Sequence, residues 1–463
     1  MATVEQDITL GRIVGTPVER KEDLALLTGQ AKFVDDMSLP GMVWMAVVRS
    51  PYAHAGITSV DVTPALAHRG VIAAFSGDDL ADEWEASLPC AWLPTEDTKQ
   101  PNHRPLAVDK ARYAGDGVAV IIAETRGEAR DAAELVQVEY DPLPAVVDAE
   151  RALEDGAPIV HDDLGTNRCY TWNLAAGEVE KEFANAEVTI KERYRQQRLI
   201  PNAMEPRGLI VQPFPATGEL TMWSATQIPH IARVTLSMVT GVPEAKLRVV
   251  APEVGGGFGS KLNVYAEEAL ALVLARKLGR PIKWIETRTE GYQATIHGRD
   301  QIQEIELAAT SEGKIRAVRA KLTAGMGAYL QLVTAGVPLL GAWLYSGAYD
   351  VVAYDFECTG VFTTTTPTDA YRGAGRPEAT YAIERAVDAL ARKLGKDPVE
   401  IRRLNFLREF PKTIASGLTV DSGDYDAHLD AALELLDYDA VRKEQAGRRE
   451  RDDTKELGIG FST

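Results

Sequence analysis

Two glycine-rich runs concentrate the chemistry this 463-residue chain could perform, Gly255-Gly256-Gly257-Phe258-Gly259-Ser260-Lys261 and Ala370-Tyr371-Arg372-Gly373-Ala374-Gly375-Arg376. Backbone without Cβ atoms lets a ligand approach main-chain N–H groups closely, and helix N-termini favour anions. Each run follows an extended segment and precedes a helical pattern, so the pair could grip a large phosphate-bearing cofactor from two sides. Neither run is decisive alone. The first imitates a dinucleotide-binding turn with Glu286 at the end of the next strand, the signature of an NAD-dependent dehydrogenase. That pattern, begun at Gly255, needs a glycine where Ser260 stands. A Walker A loop fails too, because Lys261 follows serine. A tight structural turn stays open for the first run, and a helix-capping turn with solvated Arg372 and Arg376 for the second. The turn Ser224-Ala225-Thr226-Gln227-Ile228-Pro229 closes an apolar strand and adds weight to a cofactor, although a lone Gln227 is more often a surface residue than a ligand contact.

The elements that must position these residues follow from periodicity. Apolar or β-branched runs at 42–49 and 117–123 read as strands, and Thr125-Arg126-Gly127-Glu128 has the form of a capping box opening a helix. Strands are expected at 188–199, 208–212, 220–224, 246–251, 281–286, 301–310 and 315–324, with 311–314 as a hairpin turn. The segment 264–278 is apolar almost all round, as in a buried helix stopped by Gly279. Pro377 sits where a first helical residue belongs, Gly395 ends that helix, and Asp397 caps the next. Residues 425–436 read as a helix, and 457–463 as the beginning of a strand. The pattern divides the chain into an N-terminal arm (1–17), an α+β unit (18–148), an acidic linker (149–166), a larger α+β unit (167–409) and the start of a further one (410–463).

A net charge of −18 argues against a nucleic-acid surface, which needs clustered Lys and Arg. Three scattered cysteines, Cys90, Cys169 and Cys358, have no metal-ligand spacing, so neither a zinc site nor a cysteine-held iron–sulfur cluster is expected here. No apolar run approaches a membrane span and the first ten residues lack a secretory pattern, so a cytoplasmic protein is expected.

Taken in order, the motifs resemble the molybdenum-binding large subunit of the xanthine dehydrogenase, aldehyde oxidase and carbon monoxide dehydrogenase family. The resemblance runs from Arg20-Lys21-Glu22-Asp23 and Phe33-Val34-Asp35-Asp36 through Ser50-Pro51-Tyr52-Ala53-His54-Ala55 and Met204-Glu205-Pro206. It continues through Thr226-Gln227 and both glycine runs to Arg402-Arg403-Leu404-Asn405. It implies an α+β fold: an N-terminal α/β hammerhead domain, then a molybdopterin-binding α+β domain, with a second molybdopterin-binding domain only begun. It also implies a molybdenum–molybdopterin cofactor, in the cytosine dinucleotide form common among bacterial relatives. Iron–sulfur and FAD centres would lie on partner subunits. Cofactor contacts fall to Gln227, Gly256, Gly257, Phe258, Gly259, Arg372 and Gly373. Gln227, Phe258 and Arg372 would stand closest to the metal without ligating it through a side chain.

The implied reaction is oxidative hydroxylation of an aldehyde or N-heteroaromatic compound with oxygen from water. Gly373 stands where carbon monoxide dehydrogenases carry a copper-binding cysteine, and Leu262 where purine-oxidising members carry a glutamate. Carbon monoxide oxidation and xanthine are therefore weaker expectations. The family's general-base glutamate lies in a C-terminal Gly-x-Gly-Glu segment that this sequence lacks, so no residue is assigned that role. Turnover is expected to need a separate C-terminal half as a partner, alongside the iron–sulfur and FAD subunits. The non-enzymatic alternative is an inactive fragment or an assembly scaffold.

Overall fold

The computed structural model describes residues 15–463, so most of the expected N-terminal arm, 1–14, lies outside the described residues. Two mixed sheets organise the chain. The seven-stranded sheet runs in the order Leu247–Val250, Glu219–Ser224, Gly208–Phe214, Ile282–Ile285, Val43–Arg49, Gly117–Ala123, Val71–Ser76. The five-stranded sheet runs Arg168–Ala176, Ala353–Phe362, Ile315–Gly327, Gly298–Ala309, Val188–Leu199.

The first sheet crosses the boundary drawn from sequence. Val43–Arg49, from the N-terminal unit, pairs parallel with Ile282–Ile285 from the larger unit, Val43 opposite Ile282. Sequence periodicity finds strands but cannot say which strands pair, and here a long-range pairing joins the two units. The intervening 149–166 is no free tether. Asn167 Nδ2 donates to the carbonyls of Ala152 (3.0 Å) and Pro158 (2.8 Å), its Oδ1 accepts the Val160 N–H (3.0 Å), and Val160 and His161 are buried.

The helices behave as their sequences dictate. Ala266–Leu278 buries Ala269 through Ala275 completely against the seven-stranded sheet and stops where Gly279 turns left-handed at φ 64°. Arg376–Leu394 lays its buried stripe, Ala379, Ile383, Ala386, Val387 and Leu390, on the Gly298–Ala309 and Val188–Leu199 strands. Asp397 caps the next helix by accepting the Val399 N–H at 2.8 Å. Residues 457–463, read from sequence as a nascent strand, pair with no sheet among the described residues. Arg402, with no exposed side-chain surface, donates to the Phe461 carbonyl at 3.2 Å instead.

The first glycine run follows an edge strand of one sheet and the second follows the Ala353–Phe362 strand of the other. The fold thereby delivers both to the seam between the sheets.

Candidate functional site

At that seam the two runs touch. The Arg372 N–H donates to the Phe258 carbonyl at 2.8 Å. A Cβ placed on Gly259, whose φ is +105°, would collide with the Ala370 carbonyl, so only glycine allows this approach. Gln227 closes the third side. Its Oε1 accepts the Gly259 N–H at 3.0 Å and its own N–H donates to the Lys261 carbonyl at 2.8 Å. A Cβ on Gly257 would strike Gln227 Oε1, so a side chain there would push Gln227 off its bond to Gly259. Gln227, Phe258, Arg372 and Gly373 are solvent-exposed at this junction, whereas Gly257 and Gly259 are buried beneath them.

What the junction offers is donors. Gln227 spends its oxygen on Gly259, leaving its NH2 group outward. The backbone N–H groups of Gly256, Gly257 and Phe258 find no acceptor among the described residues, nor does the Arg372 guanidinium. A cluster of unpaired main-chain donors beside a guanidinium favours a multiply anionic, oxygen-rich group. The residues present therefore fit a molybdopterin cofactor.

Supports lie behind each loop. Arg299 Nη2 donates to the Arg372 carbonyl (2.8 Å) and Nη1 to the Tyr371 carbonyl (3.2 Å), while Nη1 also pairs with buried Glu378 (3.2 Å). Asp369, buried at the start of the second run, accepts the Val333 N–H at 3.0 Å. Burial pushes its carboxyl up to about 6 against these hydrogen bonds. Beneath the first run lies a buried ionic network. Arg207 holds Glu286 (2.6 Å) and Glu267 (3.0 Å), and Arg49 reaches Glu267 (2.6 Å) from the N-terminal unit. Burial opposes ionisation of Glu267, but Arg207 and Arg49 outweigh it and hold the carboxyl down to about 2.

Of these supporting residues the sequence singled out only Glu286, and for a different role. The legible signal was Glu267-Glu268 inside an otherwise apolar helix, since buried carboxylates demand partners. A cavity of about 390 Å³, lined by Asn102, Arg104, Arg112, His161 and Tyr329, lies away from both loops. Convergence of donors, rather than cavity size, marks the site.

The dinucleotide reading does not survive this geometry. The helix after the first run begins only at Ala266, not directly at the glycines as a dinucleotide-binding turn requires. Two strands separate Leu247–Val250 from Ile282–Ile285 in the sheet. Glu286, the candidate ribose ligand, is buried and already accepts from Arg207 and Thr295.

Known proteins resemble this chain along most of its length. Residues 160–406, more than half of the chain, match the molybdopterin cofactor-binding domain, and residues 28–144 match the aldehyde oxidase and xanthine dehydrogenase a/b hammerhead domain. The chain belongs to the molybdopterin-binding xanthine dehydrogenase and carbon monoxide dehydrogenase family. It is 38% identical to the carbon monoxide dehydrogenase large chain of Hydrogenophaga pseudoflava, over 96% of this chain and 57% of that one. Quinoline 2-oxidoreductase from Pseudomonas putida 86 superposes with a TM-score of 0.90 at 36% identity, covering 95% of this chain and 56% of that one. This chain thus spans little more than half the length of both. The nicotinate dehydrogenase large molybdopterin subunit of Eubacterium barkeri, 28% identical, is matched over 99% of its length and 93% of this chain.

Proposed function

We propose that this chain forms the cofactor-gripping N-terminal part of a molybdenum hydroxylase large subunit that oxidises an aldehyde or N-heteroaromatic compound. The observation that carries this reading is the meeting of Gln227, Phe258 and Arg372 through the Gly259 N–H and the Phe258 carbonyl. When bound, a molybdenum–pterin group supplies the redox chemistry and the oxygen transfer from water. The chain's own residues bind and orient it. Gly256, Gly257 and Phe258 present main-chain N–H groups, Gln227 presents its amide NH2, and Arg372 with Gly373 bounds the opposite side. The cofactor is proposed in its cytosine dinucleotide form.

A glycine at 373, with no thiol to hold copper, favours hydroxylation over carbon monoxide oxidation. The general base would come from a C-terminal half, on this polypeptide or a separate one. The quinoline and nicotinate enzymes among the relatives support a heteroaromatic substrate class. Electrons would leave to iron–sulfur and FAD subunits, and the complex would work in the cytoplasm. Among the described residues no helix is long and apolar enough to cross a membrane.

The test is co-purification of the chain with its native partners, followed by metal and pterin analysis. Stoichiometric molybdenum with a pterin nucleotide is expected. A fully assembled complex without molybdenum would overturn the reading in favour of a scaffold.

A further inference from the structure

The first glycine run is bridged at its two ends by a residue to which the cofactor reading gives no part. Glu205 Oε2 accepts the Gly255 N–H at 2.7 Å and the Lys261 ammonium at 2.7 Å, and the Glu205 N–H donates back to the Gly255 carbonyl at 3.1 Å. One side chain therefore grips both ends of the loop, Gly255 and Lys261. Lys261 passes the restraint on, because its carbonyl accepts the Gln227 N–H at 2.8 Å and the Thr226 hydroxyl at 3.3 Å.

Glu205 is itself presented from a fixed platform. Arg288 donates to Asn202 Oδ1 (2.7 Å) and to the carbonyls of Ala203 (2.8 Å) and Met204 (3.1 Å), while Arg207 on the other side is locked to Glu286. The Lys261 side chain is 1% exposed and that of Glu205 14%. Burial shifts the Lys261 ammonium below its ordinary value and the Glu205 carboxylate partly restores it. A buried ion pair of this kind contributes little net stability against an apolar pair of similar volume. What it supplies is geometry: the loop whose middle carries unpaired N–H groups stands on a fixed base, because its two ends are clamped to one carboxylate.

We infer that Glu205, through Lys261, is a positioning residue that sets the spacing of Gln227 from the Gly256–Phe258 donors. Its relevance to turnover rests on the cofactor reading, but its effect on the loop does not.

The test uses the assembled complex and three forms of the chain: wild type, Glu205→Gln, and Glu205→Gln with Lys261→Met, which removes the stranded ammonium. Hydrogen exchange over residues 253–262 is measured beside exchange in the 376–394 helix, with the paramagnetic resonance of the reduced metal as second readout. Both variants are expected to exchange at least tenfold faster in the loop with the helix unchanged, and the metal signal should shift or broaden. Native exchange and an unaltered signal in the folded double variant would overturn the inference, even if the single variant is globally unstable. A wild-type complex without molybdenum would count against the functional reading alone, since the exchange measurement stands without the metal.

Discussion

The Phe258 carbonyl accepts the Arg372 N–H at 2.8 Å, and this bond ties together two glycine loops that issue from different sheets. Phe258 has φ 54°, a left-handed conformation rare for a bulky residue. Strain of this sort persists where surroundings over-determine it, and here the Phe258 carbonyl is held by Arg372 while the next residue, Gly259, lies against the Ala370 carbonyl. The loops therefore form one rigid rim whose outward groups are donors.

Gln227 offers the most direct test of that rim. Replacement by alanine removes an exposed side chain but strands the buried Gly259 N–H, so the thermal midpoint should fall by about 2–4 °C with the fold kept. In a molybdenum-loaded complex kcat should fall roughly a hundredfold, the scale expected on loss of one oriented donor. Unchanged turnover with full metal content would separate Gln227 from the chemistry.

Glycine substitutions should divide by position. Gly259→Ala puts a methyl group against the Ala370 carbonyl at φ +105° and should cost about 3 kcal/mol or more in denaturant unfolding, with loss of cofactor retention. Gly395→Ala has φ +64° and nothing within 4 Å, so it should cost only about 1 kcal/mol. Equal costs would mean that the loops do not depend on close approach.

How much of this was readable beforehand depends on the range of the interaction. Strand Val188–Leu199, the turn at 311–314, the Thr125 and Asp397 caps and the Gly279 and Gly395 stops rest on neighbours in sequence, and the structure has each of them where local pattern put it. The rim residues were named from the family resemblance, because pattern alone left both loops open to structural turns and Gln227 to a surface role. Hidden were the pairings between distant segments: Val43 with Ile282, Arg299 under Arg372, Glu205 across the loop. A charged residue carries no mark of its partner, and 149–166 looked like a linker only because its acidity was visible and its anchor, Asn167, was not.

Arg299 should prove sensitive to a change that keeps its charge. Its guanidinium donates to two successive carbonyls, Tyr371 and Arg372, and pairs with Glu378, an arrangement one ammonium cannot reproduce. Arg299→Lys should lower stability by about 2 kcal/mol and speed hydrogen exchange across 369–376. Native exchange there would mean that the second loop holds its shape without the fork.

Glu268 makes a prediction about pH. It is 6% exposed and accepts the Ser224 hydroxyl at 2.8 Å and the Tyr265 N–H at 3.1 Å. Burial pushes its carboxyl from an ordinary 4.5 up to about 7, those hydrogen bonds opposing. The folded state thus holds this proton more tightly than the unfolded chain. The resulting stability is fully present below about 4.5 and is lost as pH rises through about 7. Asp116, raised to about 7 by burial, acts in the same direction, while buried His161, lowered to about 4, acts in the opposite one. The total pH profile therefore cannot isolate Glu268, but a difference can. The stability of Glu268→Gln minus that of wild type should be flat below about pH 4.5 and climb steadily to above pH 7. Denaturant unfolding at half-unit intervals measures it. A difference that stays level between pH 5 and 8 would mean that Glu268 ionises in the fold as freely as in the unfolded chain, and that the helix 266–278 tolerates a buried carboxylate charge beside the Arg207–Glu267 pair.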